Sequence, residues 1–175
     1  MLNNQRVRNA GKQTGNAIRD GIFGLVPETV SEIVALYGNL WGNACISPTL
    51  VEIIRLRLAR KVDCPLCKSV RFDVPKANGL TEDRLELVED DYELNPLSER
   101  EKCAIALTDA FLDFPVRVSE ELANRLLKQF NETELAWVLL TLMHFNLTSR
   151  IQISLGGTPA GSLPIVEIPT SITTE

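Results

Sequence analysis

Helix-start signals recur along this chain, and they constrain its fold more than any other feature. Ser47 precedes Pro48, Thr81 precedes two acidic residues, and Ser98 and Glu101 have the spacing of a capping box. A Ser or Thr hydroxyl at such a position accepts a hydrogen bond from a free N–H of the first helical turn. Apolar residues follow these signals at helical spacing, and no stretch shows the two-residue alternation of a strand. We therefore predict an all-α fold.

The predicted helices end at Pro and Gly residues, which interrupt or cap a helix. Their predicted starts are Pro27, Pro48, Cys64, Thr81, Ser98, Ser119 and Thr133. The third helix, capped by Asp63, is expected to end before Pro75 or near Gly79. The last helix is the longest, and it is expected to continue to Leu155.

The helices predict one domain with an extension at each end. Residues 27–157 carry all of the helix signals and are predicted to form a single helical domain. Residues 1–26 are rich in Asn, Gly and Gln, which predicts a flexible N-terminal arm. Residues 158–175 contain three Pro among Ile and Val, which predicts an extended C-terminal tail.

The charge pattern argues against several classes of partner. The formal net charge is -5, and no block of Lys and Arg indicates binding to nucleic acid or to an anionic membrane. The nearest cluster, Arg55, Arg57, Arg60 and Lys61, alternates with Leu and is interpreted as cations at the edge of the core. No signal peptide and no apolar run long enough to span a bilayer is found, which favours a cytoplasmic protein. In a reducing compartment, a close Cys pair is more often redox-active, catalytic or metal-binding than structural.

The pair Cys64 and Cys67 is the motif most able to carry chemistry. Their spacing puts the two sulfurs one helical turn apart, where they can close a disulfide. At a helix start, free N–H groups favour the thiolate, which is the nucleophile toward a peroxide or a disulfide. Arg71 follows Cys67 by one helical turn, so its cation could stabilise that thiolate.

Other interpretations of these and neighbouring residues remain open at this point. The Cys pair could be inert and buried, or could bind zinc, although Cys45, Cys103 and His144 lack ligand spacing. Cys45 and Cys103 are interpreted as packing residues, and Trp41, Trp137 and Phe130 as core or interface aromatics. His144 lies on an apolar helix and is interpreted as a core residue with a hydrogen-bonded ring, or as a base near Cys67. Glu52, taken alone, is interpreted as a solvated helix carboxylate.

Several motifs in order resemble the alkyl hydroperoxidase D-like, carboxymuconolactone decarboxylase superfamily. They are residues 52–59 (EIIRLRLA), 64–67 (CPLC), 79–82 (GLTE), 97–101 (LSERE) and 150–156 (RIQISLG). The resemblance spans roughly residues 27–157. It implies an all-helical bundle that assembles as a homotrimer or a hexamer.

The resemblance also implies roles for individual residues in a peroxidase-type site. In that branch, the second Cys attacks the peroxide, and the first Cys resolves it and exchanges with an external dithiol. Cys67 and Cys64 match those positions, and Glu52 matches the family's proton-relay carboxylate. The family's relay His falls on Arg71, and arginine stays protonated near neutral pH and cannot act as a base.

Three functional hypotheses follow. The first is a thiol-dependent oxidoreductase that reduces a peroxide or a disulfide, with Cys67, Cys64, Glu52 and Arg71 as site residues and no cofactor beyond an external dithiol reductant. The second is a non-catalytic oligomeric protein that binds a ligand or senses redox state. The third is a small-molecule decarboxylase or isomerase that uses Glu52 and His144.

Overall fold

A computed structural model describes residues 6–11, 17–42, 44–155 and 165–168 of the chain, and these residues are mainly helical. The all-α prediction is confirmed. Short 3-10 turns lie at Ile22–Leu25 and Tyr92–Leu94. The helices are α1 (Ala17–Asp20), α2 (Pro27–Gly42), α3 (Pro48–Lys61), α4 (Pro65–Ser69), α5 (Asp73–Ala77), α6 (Glu82–Glu86), α7 (Glu99–Leu112), α8 (Glu120–Gln129) and α9 (Glu132–Leu155).

The predicted N-caps are present at most helix starts. The hydroxyl oxygens of Ser47, Thr81 and Ser119 each accept a hydrogen bond from the backbone N–H three residues on. At α7, the Ser98 hydroxyl accepts from the Glu101 N–H while the Glu101 carboxylate accepts from the Ser98 N–H, which completes the capping box. These local contacts explain why the helix starts could be predicted from short motifs.

The prediction for the third helix was wrong in both its cap and its length. Cys64, not Asp63, is the N-cap, and its sulfur accepts a hydrogen bond from the Cys67 N–H at 3.3 Å. Helix α4 ends at Ser69, and the chain then extends as strand β1 (Val70–Phe72) before α5 begins. β1 pairs in parallel with strand β2 (Val166–Ile168), which supplies backbone partners that replace helical hydrogen bonds.

Helix α3 lies at the centre of the bundle. Its residues from Leu50 to Ala59 are all buried, and it packs against both α7 and α9. One side of it joins the main core, which includes Trp41, Leu142 and Phe145. The other side packs on a smaller cluster that includes Leu85 and Val88. Because α3 is enclosed on both sides, its polar side chains must find partners inside the protein.

Two arginines of α3 are buried, so the prediction that they lie at the edge of the core was wrong. Arg55 and Arg57 are 3% and 2% exposed. Arg57 donates to both carboxylate oxygens of Asp109 on α7, at 2.8 and 2.6 Å. Paired carboxylates offset the cost of removing these cations from water. Burial alone would lower the pKa of Arg57. The carboxylates of Asp109 and Asp90 raise the pKa by more than burial lowers it, so the net shift is upward.

The described parts of the two predicted extensions contact the helical domain. The N–H groups of Arg6 and Val7 donate to the Leu155 carbonyl at the end of α9. At the other end, residues 166–168 form β2 beside β1. Residues 1–5, 12–16, 156–164 and 169–175 lie outside the described residues, so the arm and tail assignments stay predictions.

Helix α9 combines a buried face with an apolar exposed one. Val138, Leu142 and Phe145 face the core. Four apolar residues at helical spacing remain open to solvent on the outer side: Leu139, Leu140, Met143 and Leu147. Across the described ranges, no helix has both the length and the apolar character needed to cross a bilayer.

We predict that Ser98→Ala lowers the free energy of unfolding by about 1 kcal/mol, because an N–H of the first turn of α7 loses its acceptor. Urea denaturation followed by circular dichroism measures the change. Ser31→Ala, at an exposed position inside α2, is the matched control and should change stability by only a few tenths. Equal effects of the two substitutions would show that the capping box contributes nothing.

Candidate active site

Cys64 and Cys67 are joined by a disulfide, and their Cα atoms lie 5.2 Å apart. The pair is placed by the first turn of α4, which Pro65 opens with a fixed φ angle. Cys64 is fully buried, whereas Cys67 is partly exposed. The two residues therefore differ in access, and Cys67 is the member of the pair that solvent reaches.

Glu52 and Arg55 form a buried ion pair on α3, directly under the Cys pair. Arg55 Nε and Nη2 donate to the two carboxylate oxygens of Glu52 at 2.7 and 2.6 Å. Arg55 also donates from Nη1 to the Cys67 carbonyl at 2.6 Å and from Nη2 to the Val70 carbonyl at 2.8 Å. One guanidinium thus holds the backbone on both sides of the junction between α4 and β1.

The environment of Glu52 differs from the one expected for an isolated helix carboxylate. Glu52 is 1% exposed, so its interpretation as a solvated residue was wrong. Its spacing along α3 could not show this, because α3 is enclosed by α7, by α9 and by residues 64–70 (the Cys segment), which are distant in sequence. Burial lowers the pKa of Arg55, but the Glu52 carboxylate more than offsets that effect, and the net pKa shift of Arg55 is upward. Arg55 therefore stays charged.

Arg71 lies in β1 rather than one turn along a helix from Cys67. Its guanidinium binds the Glu82 carboxylate, with Nε 2.8 Å from Oε1, and donates from Nη1 to the Lys68 and Val70 carbonyls. The helical spacing that suggested contact with Cys67 therefore does not apply. Arg71 is fixed beside the Cys segment by α6 and by its own backbone.

A pocket of about 340 Å³ lies next to this arrangement. Glu52 and Arg71 line it, whereas neither cysteine is among its described lining. The apolar part of the lining is formed by Phe72, Pro75, Leu80, Leu85 and Ile165. Lys76, Glu82 and Glu167 also line it. The pocket thus combines an apolar part with several charged groups, which suits a small organic molecule.

Ser149 is a site residue that the sequence pattern did not single out. It projects from α9, is 3% exposed, and its hydroxyl donates to the Cys67 sulfur at 3.3 Å. No motif marks it, since α9 carries hydroxyl residues elsewhere and the contact joins residues far apart in the chain. The family-like motif at residues 150–156 begins directly after Ser149 but does not include it.

His144 is buried, as one interpretation held, but one of its two ring nitrogens lacks the expected hydrogen bond. Among the described residues, His144 Nε2 has no hydrogen-bond partner. The ring meets Tyr37 edge-on, with centroids 4.3 Å apart. Burial lowers the pKa of His144 to about 4 and raises the pKa of Tyr37. Both side chains are therefore neutral near pH 7.

The two remaining cysteines lie apart from the pair. Cys45 is exposed, so its interpretation as a packing residue was wrong, whereas Cys103 is buried as expected. Burial raises the pKa of the Cys103 thiol. In the part of the chain that the structure describes, no group of three His, Cys, Asp or Glu residues could hold a metal ion.

Comparison with known proteins supports the fold that this geometry indicates. A protein of unknown function from Agrobacterium tumefaciens, proposed to be the antioxidant defence protein AhpD, superposes with a TM-score of 0.64 at 18% identity, over 75% of this chain and 90% of that one. The debrominase Bmp8 superposes with a TM-score of 0.66 at 15% identity, over 78% and 74% of the two chains. This chain has the AhpD-like fold.

Other comparisons add less about activity. A variant of Bmp8 in complex with 2,3,4-tribromopyrrole superposes with a TM-score of 0.67 at 14% identity, over 79% of this chain and 74% of that one. The uncharacterized protein YdfG of Bacillus subtilis (strain 168) is 27% identical over 119 residues, which is 67% of this chain and 81% of YdfG. No family model matches the chain. The superpositions establish the AhpD-like architecture, and a shared architecture does not determine the reaction.

We predict that Glu52→Gln and Arg55→Met each lower the free energy of unfolding by about 3–5 kcal/mol, because each leaves a buried charge without its partner. The double variant should lose less than the sum of the two, since it removes both charges. Urea denaturation of the four proteins completes a double-mutant cycle.

The control for this cycle is the exposed pair of Lys76 and Glu167, whose side chains are 64% and 60% exposed. Lys76→Met and Glu167→Gln should each change stability by no more than about 1 kcal/mol. Additive losses in the Glu52 and Arg55 cycle would contradict the buried pairing.

We also predict a pH-dependent stability that belongs to His144, the only histidine in the chain. Its pKa is about 4 in the folded protein, below the ordinary value, so the folded state binds fewer protons than the unfolded state between these pKa values. Stability is therefore complete above about pH 6.5 and decreases as the pH falls toward 4. From pH 7.5 to 5, the expected loss is about 2 kcal/mol.

Urea denaturation at several pH values measures this slope, and His144→Gln provides the non-titrating comparison. The variant is expected to be less stable at pH 7.5 but to lose much less stability on acidification. The same slope in both proteins would place the titrating group elsewhere.

Proposed function

We propose that this protein is a thiol-dependent oxidoreductase that reduces a peroxide or a disulfide through the Cys64–Cys67 pair. The observation that carries this proposal is a bonded Cys pair, of which Cys67 is partly exposed, at the start of helix α4 and beside a pocket. Disulfides between close cysteines in reducing compartments are usually transient and catalytic or redox-sensing. The cytoplasmic location predicted from the sequence fits this use.

In the peroxide reaction, the Cys67 thiolate attacks one peroxide oxygen. A sulfur–oxygen bond forms, the oxygen–oxygen bond breaks, and the leaving alkoxide takes a proton. Cys64 then attacks the resulting sulfenic acid, which forms the disulfide and releases water. An external dithiol returns the pair to its reduced form and becomes a disulfide itself.

Access assigns different roles to the two sulfurs. Cys67 is proposed as the nucleophile because it is the partly exposed member of the pair, and Cys64 is proposed as the resolving thiol. The same difference favours attack of the reducing dithiol on Cys67, which departs from the family resemblance, because the resemblance implies exchange at Cys64. The Cys64 thiolate released by that attack accepts the hydrogen bond of the Cys67 N–H.

Glu52 and Arg71 are proposed to act at the pocket rather than on the sulfurs. Each Glu52 oxygen accepts one hydrogen bond from Arg55 and keeps further lone pairs, so it can still accept a proton from a pocket ligand or a water molecule. The Arg71 guanidinium can orient an anionic or polar substrate. The apolar side of the pocket suits an organic hydroperoxide or a small organic disulfide better than hydrogen peroxide.

A second candidate is redox sensing without rapid turnover. It is favoured by the arrangement of the charged groups, because Glu52 is paired with Arg55, and Arg71, at the position of the family's relay His, is paired with Glu82. Such a protein would form and lose the disulfide but would lack an efficient base. The decarboxylase or isomerase hypothesis has less support, because within the described residues no hydrogen bond joins Glu52 and His144.

The protein is further proposed to be a homo-oligomer, a trimer or a hexamer. The exposed apolar row of α9, formed by Leu139, Leu140, Met143 and Leu147, supports self-association. A continuous apolar helix face is costly to leave in water and is covered when a second copy packs on it.

We predict that the reduced protein consumes an organic hydroperoxide in the presence of a dithiol reductant. Cys67→Ser should abolish consumption, because the nucleophile is lost. Cys64→Ser, treated with the hydroperoxide in the absence of the dithiol, should react once and leave a sulfenic acid on Cys67, which dimedone labelling and mass spectrometry detect. Cys45→Ser, which removes the exposed cysteine outside the pair, should leave the rate unchanged.

Reversible formation of the disulfide without catalytic consumption would favour the sensing function. Consumption that survives Cys64→Ser combined with Cys67→Ser would contradict both thiol-based functions.

We predict that Leu140→Glu combined with Met143→Glu dissociates the oligomer, because two carboxylates would have to be buried in the interface. Analytical ultracentrifugation should show a multimer for the wild-type protein and a monomer for the variant. Ile165→Glu, at an exposed apolar residue that belongs to the pocket lining and not to α9, is the control and should keep the wild-type mass. A monomeric wild-type protein would overturn the oligomer proposal.

A further inference from the structure

The hydroxyl of Ser149 is used differently from the hydroxyls of the other buried Ser and Thr residues in the described ranges. Those of Ser69, Thr108, Thr141 and Thr148 each donate to a backbone carbonyl three or four residues earlier in the chain. That local bond is the usual choice for a hydroxyl inside a helix. Ser149 instead donates to the Cys67 sulfur, 3.3 Å away and in another element. The direction of this side chain therefore serves the Cys pair rather than α9.

We propose that Ser149 is a positioning residue that donates a hydrogen bond to the Cys67 sulfur and stabilises its thiolate when the pair is reduced. This inference rests on the proposed thiol chemistry and adds to it the group that activates the nucleophile. A hydroxyl is a fitting donor here, because a hydrogen bond to the charged form of an acid lowers its pKa. It needs no proton relay, and so it does not depend on the His that Arg71 replaces.

The role of Ser149 is clearest in the reductive half of the cycle. The thiolate of the external dithiol attacks Cys67, the bond between the two cysteines breaks, and its electron pair leaves on Cys64, which takes a proton. The second thiolate of the donor then attacks its own sulfur in the mixed disulfide. The Cys67–donor bond breaks, and its electron pair leaves on Cys67. The Ser149 hydroxyl donates to this leaving thiolate, whose low pKa speeds its departure and keeps it ready for the next oxidant.

The charged side chains named below, on the elements around Cys67, are paired with other groups. The Ser149 hydroxyl is therefore the candidate donor to the Cys67 thiolate. On α3, Arg55 is paired with Glu52 and reaches the Cys67 carbonyl rather than its sulfur. On α4, Lys68 is paired with Asp63, and on β1, Arg71 is paired with Glu82. On α9 and α2, His144 and Tyr37 are neutral near pH 7. Within the described residues, Ser149 makes the side-chain hydrogen bond that ends on the Cys67 sulfur.

The test measures the acidity of Cys67 directly. In full-length protein carrying Cys64→Ala, the rate of iodoacetamide labelling of Cys67 is followed from pH 5 to 10 by peptide mass spectrometry. Ser149→Ala should move the midpoint of this profile upward by about one unit, which is about a tenfold loss of thiolate at neutral pH. Ser149→Thr keeps the hydroxyl and should retain a midpoint near that of the parent.

Thr141→Val is the matched control, because it removes a buried hydroxyl of the same helix that donates to a backbone carbonyl. Its midpoint should equal that of the parent. An unchanged midpoint in Ser149→Ala, with the native circular dichroism spectrum, would overturn the role of Ser149. So would an equal shift in Thr141→Val, because the effect would then be structural.

Labelling requires neither peroxide nor reductant, so this result is separate from the test of the proposed function. Wild-type peroxide turnover with no shift in Ser149→Ala would overturn the role of Ser149 alone. A clear shift without any turnover or disulfide formation in the wild-type protein would support the hydrogen bond and overturn the proposed function.

Discussion

The buried ion pair of Glu52 and Arg55 is the interaction on which the rest of the site depends. It lies inside α3, the helix that the other elements enclose, and its guanidinium also binds the carbonyls of Cys67 and Val70. The chain has to leave α4 at this point and become extended, and the freed carbonyls need donors away from water. Arg55 supplies those donors, and Glu52 keeps Arg55 charged and oriented. A pair of this kind adds little net stability compared with apolar packing, but it fixes one geometry and is costly to break.

That geometry brings three distant parts of the chain together around the two sulfurs. Helix α3 holds the backbone of the Cys segment from below, α9 places the Ser149 hydroxyl against Cys67, and β2 pairs with β1 immediately after α4. Arg71 and Glu82 then close the side that borders the pocket. The result is a buried Cys64 and a partly exposed Cys67 enclosed by three elements, which suits the proposed opening and closing of their disulfide. The proposed chemistry therefore depends on packing contacts as much as on the C-x-x-C motif itself.

The sequence predicted the features that depend on neighbouring residues. The caps at Ser47, Thr81, Ser98 and Ser119 are formed within one turn, so short motifs located those helices, and the fold class followed from them. Features that depend on distant partners could not be predicted in the same way. Strand β1 has its partner near the C-terminal end, the burial of Glu52, Arg55 and Arg57 depends on α7 and α9, and the contact of Ser149 joins residues 82 positions apart. The family resemblance proposed Glu52 and the Cys pair together, but it gave no indication of Ser149.

The central claim is that Cys64 and Cys67 exchange between a dithiol and a disulfide at potentials that cellular dithiols can reach. A redox titration tests it most directly: the protein is equilibrated in a series of dithiol–disulfide buffers, quenched with a thiol-reactive label and weighed by mass spectrometry. The account predicts one reversible two-electron transition between about −270 and −120 mV that involves both cysteines of the pair and is lost in Cys64→Ser. A pair that stays fully oxidised across this whole range would contradict the account, because such a disulfide has only a structural role. A pair that stays fully reduced would also contradict it, because cellular dithiols and disulfides would never form the bond.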